Sequence, residues 1–414
     1  MSTIPVHTKL FLFELLTNAL PDVYQAYARL RRLGGVVRDA SGVILLARQD
    51  DILKTFADRR FTSVGRQSMA RAAPALQQTM EASGLFDLLN FRDDETHRQS
   101  RRVLAGLFNA EAMEQIRAAV AAKADVLLAR WTSGQAENLV PAVITPLPVR
   151  ALAMLIGLDE AELMRFLPQT RHFGAWLSAA VLDEAGLARV IDEFASAWPW
   201  LEQQLAGRST LLDEVPPEAR RILLGDVLLV LITGYDSRTA LLGNALAALA
   251  ADGAARERLA ADPGLSPRAA EELIRYDSPG QVAFRIALEE VAFGAYRIAP
   301  GEVVALLNGS GNRDETIHEQ ADRLDFDRPK RRPLSFGSGP HACVDAALAR
   351  TQPIGFLDGL RPWLARLDID ASPAAASQHG LLRQHDLIGR CQVPAEPLRL
   401  SSHPVFPDSK THIL

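Results

Sequence analysis

Cysteine is almost absent from the chain. Only Cys343 and Cys391 occur among 414 residues, which excludes a disulfide framework and a zinc site built from four closely spaced Cys or His ligands. We therefore expect a reducing compartment. Cys391 has no Cys or His close to it in sequence and is interpreted as a small core residue.

The chain also lacks an excess of positive charge and long apolar runs. Its formal net charge of −5 argues against the general cationic surface that nucleic-acid binding requires. Near the amino end, the apolar patch Leu10–Leu16 is interrupted by Glu14 and is too short to cross a bilayer or to form a clear signal peptide. We expect a soluble, cytoplasmic protein without a membrane anchor.

No Ser/Gly linker, low-complexity tract or repeat divides the sequence. Hydrophobic residues make up 48% of it, and Ala, Leu and Arg dominate from end to end. One large core is the simplest interpretation. Residues 1–414 are therefore predicted to form a single domain.

Most of the chain has a helical period. A helix over Asp22–Arg32 is followed by a short β pair around Val36–Ala47, which turns at Asp39–Gly42. Apolar residues at three- and four-residue spacing predict further helices near Asp51–Ala57, Glu95–Phe108, Glu111–Trp131, Pro146–Ile156, Leu182–Leu205 and Glu218–Ala250. Strand-like runs are confined to Val282–Phe293, Val303–Leu307 and the tail near Leu398–Leu400. The predicted fold class is mainly α with small β-sheets.

The segment Phe336–Cys343 sets two glycines and a proline ahead of a cysteine, and a helix-forming run follows at once. Glycines let the chain turn back and aim amide N–H groups at the sulfur, while the positive end of the next helix favours an ionised thiol. Such a loop presents a thiolate to a metal. Cys343 is therefore a candidate axial ligand of haem iron.

The longest apolar helix, Ile222–Ala250, contains the polar segment Gly234–Ser237 in its middle. A mid-helix glycine costs roughly 1 kcal/mol relative to alanine, and an unpaired buried carboxylate costs more. We expect the Ser237 hydroxyl to bond back to the Thr233 carbonyl and to open a local bulge with room for a small ligand such as dioxygen. The alternative is an ordinary buried helix whose polar residues face a neighbour.

Together the loop and the helix resemble the cytochrome P450 superfamily, in which a Phe-Gly-x-Gly-x-His-x-Cys loop carries the haem ligand. The resemblance implies the P450 fold, with b-type haem between Ile222–Ala250 and the Cys343 loop. It also implies that Asp236 and Ser237 deliver protons during oxygen activation. Three residues depart from the pattern: Ser237 stands where threonine is commoner, Arg238 where the residue is small or apolar, and Asp345 where glycine is usual. Asp345 is expected to lower the haem reduction potential or to displace the helix start.

The same resemblance assigns further site residues. It implies that the haem site is formed by His97, Arg101, Arg285 and His341, which would face the propionates, and by Phe336 of the loop. It implies a structural ion cluster of Glu272, Arg275 and Arg328 that holds the cysteine loop. The substrate pocket is predicted to be apolar and to be lined by Phe86, Leu88, Leu89, Val230, Thr233, Val282, Ala283 and Leu382. A shortened connection is also predicted between residues 205 and 219.

The implied function is O₂-dependent monooxygenation of an apolar small molecule or a carrier-bound intermediate of secondary metabolism. A ferredoxin or flavodoxin would supply electrons by docking on a cationic face made of Lys330, Arg331, Arg332, Arg98, Arg101 and Arg102. One alternative is a peroxide-driven or oxygen-independent haem-thiolate enzyme, in which Arg238 holds a substrate carboxylate. A second is a non-catalytic haem scaffold that binds a carrier or partner. A cysteine hydrolase using Cys343 and His341 is disfavoured, because residues two apart rarely align as nucleophile and base.

Overall fold

Helices make up most of the chain in the computed structural model, as the apolar periodicity predicts. The structure describes residues 11–16, 20, 22–63, 77–130, 136–177, 184–206, 217–370, 376–379, 382–385 and 387–391. Its α-helices are α1 Phe11–Leu16, α2 Val23–Arg32, α3 Gln49–Ala57, α4 Gln77–Ser83, α5 Glu95–Gly106, α6 Ala110–Arg130, α7 Pro146–Ile156, α8 Glu160–Phe166, α9 Arg171–Leu177, α10 Glu184–Leu205, α11 Pro217–Ala251, α12 Gly253–Ala261, α13 Ser266–Tyr276, α14 Asn308–Gly311 and α15 Ala346–Leu360. A π-helical turn, Val140–Ile144, precedes α7.

Among the described residues, twelve short strands form four small sheets. They are β1 Val36–Arg38, β2 Ile44–Leu46, β3 Phe61–Ser63, β4 Glu137–Asn138, β5 Ala283–Ala287, β6 Val291–Phe293, β7 Tyr296–Ile298, β8 Val303–Leu306, β9 Leu367–Asp370, β10 Ala376–His379, β11 Leu382–His385 and β12 Ile388–Cys391. The largest sheet has the order β1-β2-β8-β5-β3, in which only β2 and β8 run parallel. The predicted class, mainly α with small sheets, is confirmed.

Local signals set the ends of several predicted helices. The Asp22 carboxylate caps α2 by accepting a 3.0 Å hydrogen bond from the Gln25 amide, and a proline opens α7. Gly157 ends α7 in the left-handed region at φ 77°, where a glycine avoids the Cβ clash.

Two strand predictions have other outcomes. The predicted strand Val282–Phe293 is wrong as one element: it divides into β5 and β6, because exposed residues turn between them and Leu288 is 60% exposed. The predicted strand at Leu398–Leu400 and most of the connection between residues 205 and 219 lie outside the described residues.

The long helix α11 is the central element of the main hydrophobic cluster. Its residues from Leu223 to Leu249 are almost all buried, as expected of a helix that is apolar on all sides. Helices α7, α10, α13 and α15 pack around it. Two smaller clusters cover the five-stranded sheet.

No single helix in the described part of the chain is long and apolar enough to cross a membrane. The bent pair Val140–Ile156 and Glu160–Leu177 satisfies the length and composition test only together, across a bend of 119°.

Candidate active site

The cysteine loop turns back on itself through two glycines in the left-handed region. Gly337 has φ 60° and Gly339 has φ 75°, conformations that L side chains rarely adopt. A Cβ on Gly339 would also lie 2.5 Å from the carbonyl oxygen of Phe56. The Cys343 amide donates a 2.8 Å hydrogen bond to the Phe336 carbonyl. This bond closes the loop just before α15 begins.

The Cys343 thiol lies in surroundings that oppose its ionisation. Burial raises the pKa of this thiol well above its ordinary value, and the Asp345 carboxylate raises it further. The Cys343 Sγ donates a 2.6 Å hydrogen bond to Asp345 Oδ1. The prediction that the positive end of the following helix favours the ionised thiol stays a prediction. A cation bonded to the sulfur is needed to stabilise the anion.

A cavity of about 300 Å³ separates the Cys343 loop from α11. Leu89, Val230 and Thr233 line it, as predicted. Other wall residues that the sequence did not indicate include Ser63, Asn90, Leu177 and Leu229. Asn90 directly follows the predicted pocket residues Leu88 and Leu89, so its position in the sequence was a usable signal. Leu177 lies on α9, a helix that the apolar periodicity did not predict.

Four of the five other residues predicted for the pocket lie elsewhere. Phe86 and Leu88 are buried in the main cluster, beside α11. Val282 packs in one of the clusters on the five-stranded sheet, and Ala283 packs against the other. None of these four lines the cavity that Cys343 faces. Leu382 begins β11, which packs against α11, and its side chain lies outside the described part.

Two basic residues of α5 reach the cavity. The His97 ring is 4% exposed and its Nε2 has no hydrogen-bond partner in the described structure. Burial, followed by the nearby charge of His341, lowers the pKa of His97 to about 4, so this ring is neutral at pH 7. Arg101 donates a 2.7 Å hydrogen bond to the Ala342 carbonyl and lines the same cavity.

Arg285 and His341 complete the basic side of the cavity. The Arg285 guanidinium stacks over the Phe56 ring at 4.9 Å. His341 lies with its ring 4.8 Å from that of His97 and bonds through Nε2 to Asp93. That bond is the main reason why the pKa of Asp93 falls to about 2. The structure thus brings all four residues predicted to face propionates to one cavity.

Asp236 and Ser237 lie in the middle of α11. Burial raises the pKa of Asp236 to about 6, and no ion pair to it is found among the described residues. Its Oδ2 faces α9, where a Cβ on Gly174 would lie only 2.5 Å from it. Neither residue lines the cavity directly. Ser237 follows Thr233 by four residues and so shares its helix face.

The predicted back-bond of Ser237 is wrong. The hydroxyl of Thr233 instead donates a 2.6 Å bond to the Leu229 carbonyl, one turn earlier. The helix is α-helical throughout Pro217–Ala251, so the predicted bulge is absent as well.

Glu272, Arg275 and Arg328 form one buried cluster. Arg275 Nε and Nη2 donate to the two Glu272 carboxylate oxygens at 2.8 and 2.7 Å. Arg328 Nε donates to Glu272 Oε1 at 3.2 Å. The remaining guanidinium N–H groups bond the carbonyls of Asn312, Ala321, Arg323, Glu319 and Gln320. The cluster thus ties α13 to the segment that precedes the cysteine loop.

A second buried ion pair was not anticipated from the sequence. Asp226 of α11 is fully buried and pairs with Arg92. Its Oδ1 accepts a 2.7 Å hydrogen bond from the Leu89 amide. The pair thereby fixes Leu89 in the cavity wall. Arg92 and Asp226 are 134 residues apart in sequence, so no local pattern indicated that they would pair.

Comparisons with known proteins agree with this geometry. A relative described as mycinamicin IV hydroxylase/epoxidase of Micromonospora griseorubida is 30% identical over 323 residues, which cover 74% of this chain and 78% of the relative. Cytochrome P450 107B1 of Saccharopolyspora erythraea is 28% identical over 351 residues, covering 80% of this chain and 85% of the relative. The solved structure of CalO2 superimposes with a TM-score of 0.81 at 26% identity, covering 90% of this chain and 96% of CalO2.

The chain belongs to the cytochrome P450 superfamily. A scan against models of known protein families finds no match. The recognition made from the cysteine loop and the polar segment of the long helix is confirmed. The P450 is a haem-dependent monooxygenase that acts on a small molecule and needs a redox partner.

The donor set of this P450 fits haem. At one wall of the cavity lies the sulfur of Cys343. On the basic side lie Arg101, Arg285, His341 and the unpartnered Nε2 of His97. Haem b in a P450 requires a thiolate that binds the iron. Its two propionate carboxylates require cations or N–H donors.

Arg238 and Asp345 meet in the P450 fold, although 107 residues separate them. Arg238 is 1% exposed, forms an ion pair with Asp345 and does not line the cavity. The hypothesis that Arg238 holds a substrate carboxylate is therefore wrong. The expectation that Asp345 lowers the haem reduction potential or displaces the helix start stays a prediction, now for a carboxylate that is paired with Arg238. Asp345 immediately precedes α15, but its side chain makes no capping bond.

Proposed function

We propose that this P450 inserts one oxygen atom from O₂ into an apolar small molecule or a carrier-bound biosynthetic intermediate, with Cys343 as the iron ligand. The observation that carries the proposal is the shared cavity between Cys343 and α11, walled by apolar side chains on one side and by four basic residues on the other. Residues 1–414 are proposed to form a single haem-binding domain.

Haem, when bound, supplies reductive activation of O₂. The chain's own residues then have separate tasks. His97, Arg101, Arg285 and His341 hold the carboxylate edge of the cofactor, and Leu89, Val230 and Leu229 exclude water from the reacting face. Asp236 gains and loses a proton near pH 6, because burial raises its pKa to about 6. Ser237, next to it and one turn from Thr233, passes that proton toward the cavity.

The redox partner is proposed to be an acidic ferredoxin or flavodoxin. Lys330, Arg331 and Arg332 are exposed and form no ion pair among the residues described, so their charge is free to attract such a partner. The surface is smaller than the sequence implies. Arg101 turns inward to the Ala342 carbonyl, while Arg98 and Arg102 both lie within ion-pair distance of Glu95.

The substrate is proposed to be largely apolar with at least one hydrogen-bonding group. The relatives include an enzyme described as mycinamicin IV hydroxylase/epoxidase. The cavity wall carries a buried amide oxygen, Asn90 Oδ1, for which the described residues supply no hydrogen-bond partner. A substrate donor that meets this oxygen would orient the molecule. We place the reaction in the cytoplasm, in keeping with the scarcity of cysteine.

Turnover measurements test the proposal. Haem-loaded protein should give a thiolate-type absorption band when it is reduced under carbon monoxide, and substrates should shift its resting spectrum by displacing water from the iron. A bound substrate should be oxidised with reductant, ferredoxin and air, and labelled O₂ should deliver its oxygen to the product. Oxidation that proceeds with peroxide alone and not with air would instead favour the peroxide-driven enzyme. Tight binding of a carrier protein without any turnover would favour a scaffold.

A further inference from the structure

Arg238 and Asp345, which each depart from the superfamily pattern, are partners in this fold. Arg238 Nη1 pairs with Asp345 Oδ2, and the two side chains are 2% and 10% exposed. Arg238 immediately follows Ser237 on α11. Asp345 lies two residues after Cys343 and also accepts the 2.6 Å bond from its sulfur. The pair thus connects α11 to the segment that carries Cys343, the proposed iron ligand.

Gly234 has a packing role toward the same pair. A Cβ at this position would lie 1.8 Å from Arg238 Nη2 and 2.6 Å from its Cζ. Because the guanidinium occupies the space beside Gly234, any side chain there would displace Arg238 from Asp345. The helix therefore needs a glycine at this point for the ion pair itself.

We propose that Arg238 and Asp345 act as one compensating unit that positions the Cys343 sulfur and keeps the charge beside it near zero. Neither residue is tolerable without the other. A buried guanidinium or carboxylate that loses its partner is strongly destabilising, whereas replacing both members of a buried pair is often neutral. Arg238 Nε and Nη2 have no other partner in the described structure, so Asp345 is its main compensation.

The unit also explains how an acidic residue is accommodated next to a thiolate. An uncompensated carboxylate there would repel the sulfur anion. Arg238 supplies the opposite charge from the other side, and the carboxylate is drawn toward α11 instead of capping α15. The two departures from the family pattern therefore cancel each other. Both are positioning residues, since they act through Cys343 and α11.

Four haem-loaded proteins form the test: wild type, Arg238→Ala, Asp345→Gly and the double variant. Each single variant should lower the midpoint of thermal unfolding and increase the share of the carbonyl band that is not of thiolate type. The double variant should return close to wild type in both, with a coupling of roughly tenfold or more in the folded-to-unfolded ratio. The reduction potential should fall in Arg238→Ala, rise in Asp345→Gly and lie between them in the double variant.

One control variant at an exposed ion pair and two milder substitutions complete the test. Arg258→Ala, which breaks an exposed ion pair with Asp327, should change none of these readouts. If a single variant does not take up haem, Arg238→Lys and Asp345→Asn replace it, and Lys should retain more of the thiolate band than Asn.

The outcomes separate this inference from the proposed function on which it rests. Losses that simply add in the double variant, or single variants that match wild type, would overturn the inference alone. A wild-type protein without a thiolate-type band would overturn both.

Discussion

Asp236 is expected to control the pH dependence of this P450. Its carboxyl lies between α11 and α9, close to Gly174, and no ion pair to it is found in the described part of the chain. Without a cation to stabilise the carboxylate, burial dominates and raises the pKa of Asp236 to about 6. The perturbation we choose is Asp236→Asn, which keeps the shape of the side chain but cannot ionise.

The size of the effect follows from the pKa values. A change from the ordinary 3.8 to about 6 corresponds to about 3 kcal/mol, at about 1.4 kcal/mol for each tenfold change in the acid constant. The folded protein holds this proton more tightly than the unfolded chain does. Stability should therefore fall as pH rises from about 4 to about 6 and level off above that. The proton occupies about half of the molecules at pH 6 and about one tenth at pH 7.

Two assays read this effect out. The free energy of unfolding of wild type minus that of Asp236→Asn should decline by up to about 3 kcal/mol between pH 4 and pH 6 and then stay constant. In turnover with reductant and air, the fraction of consumed O₂ that appears in product should fall in wild type as pH rises through about 6. In Asp236→Asn this fraction should be low and independent of pH, with more peroxide released.

Ser237→Ala is the matched control for the turnover assay. It should lower the product fraction while leaving the midpoint of the pH profile near 6, because Asp236 still titrates. Identical pH profiles in wild type and Asp236→Asn would refute the assignment of Asp236. A stability difference that increases with pH over the same range would refute the sign of the pKa shift.

Three further substitutions test the rest of the site. Gly339→Ala should abolish the thiolate-type carbonyl band, because its Cβ would meet a backbone oxygen at 2.5 Å. Gly294→Ala, also at positive φ but with open space around it, should keep the band. Equal losses of the band in both variants would refute the steric argument. Glu272→Gln should cost about 3 to 5 kcal/mol in unfolding free energy because it leaves two buried guanidinium groups without their shared anion, whereas Glu271→Gln, at a more exposed pair, should cost less than about 1 kcal/mol in denaturant titration. Cys343→Ser should retain the fold by circular dichroism but lose the thiolate-type band, and persistence of that band would rule out Cys343 as the ligand.

The predictions that held from sequence are those in which the cause lies close along the chain. A helix needs only apolar periodicity and local caps, so α2, α7 and α11 were predictable to within a residue or a few. The Cys343 loop was recognisable because its backbone requires glycines at fixed positions. Gly337 and Gly339 both adopt positive φ angles, which other residues rarely do. Short helices such as α9 were missed because so few residues carry too weak a period.

The sequence by itself determined the superfamily, the mainly helical class and the four basic residues that meet Cys343 at one cavity, since motif spacing and periodicity are local properties. Only the tertiary structure decided which polar residues neutralise one another. Arg238 and Asp345 looked like two separate anomalies, and Asp226 with Arg92 drew no notice, because the partners lie more than a hundred residues apart in each pair. The energy of a buried charge depends on what lies within a few ångströms of it, and that distance exists only after the chain has folded.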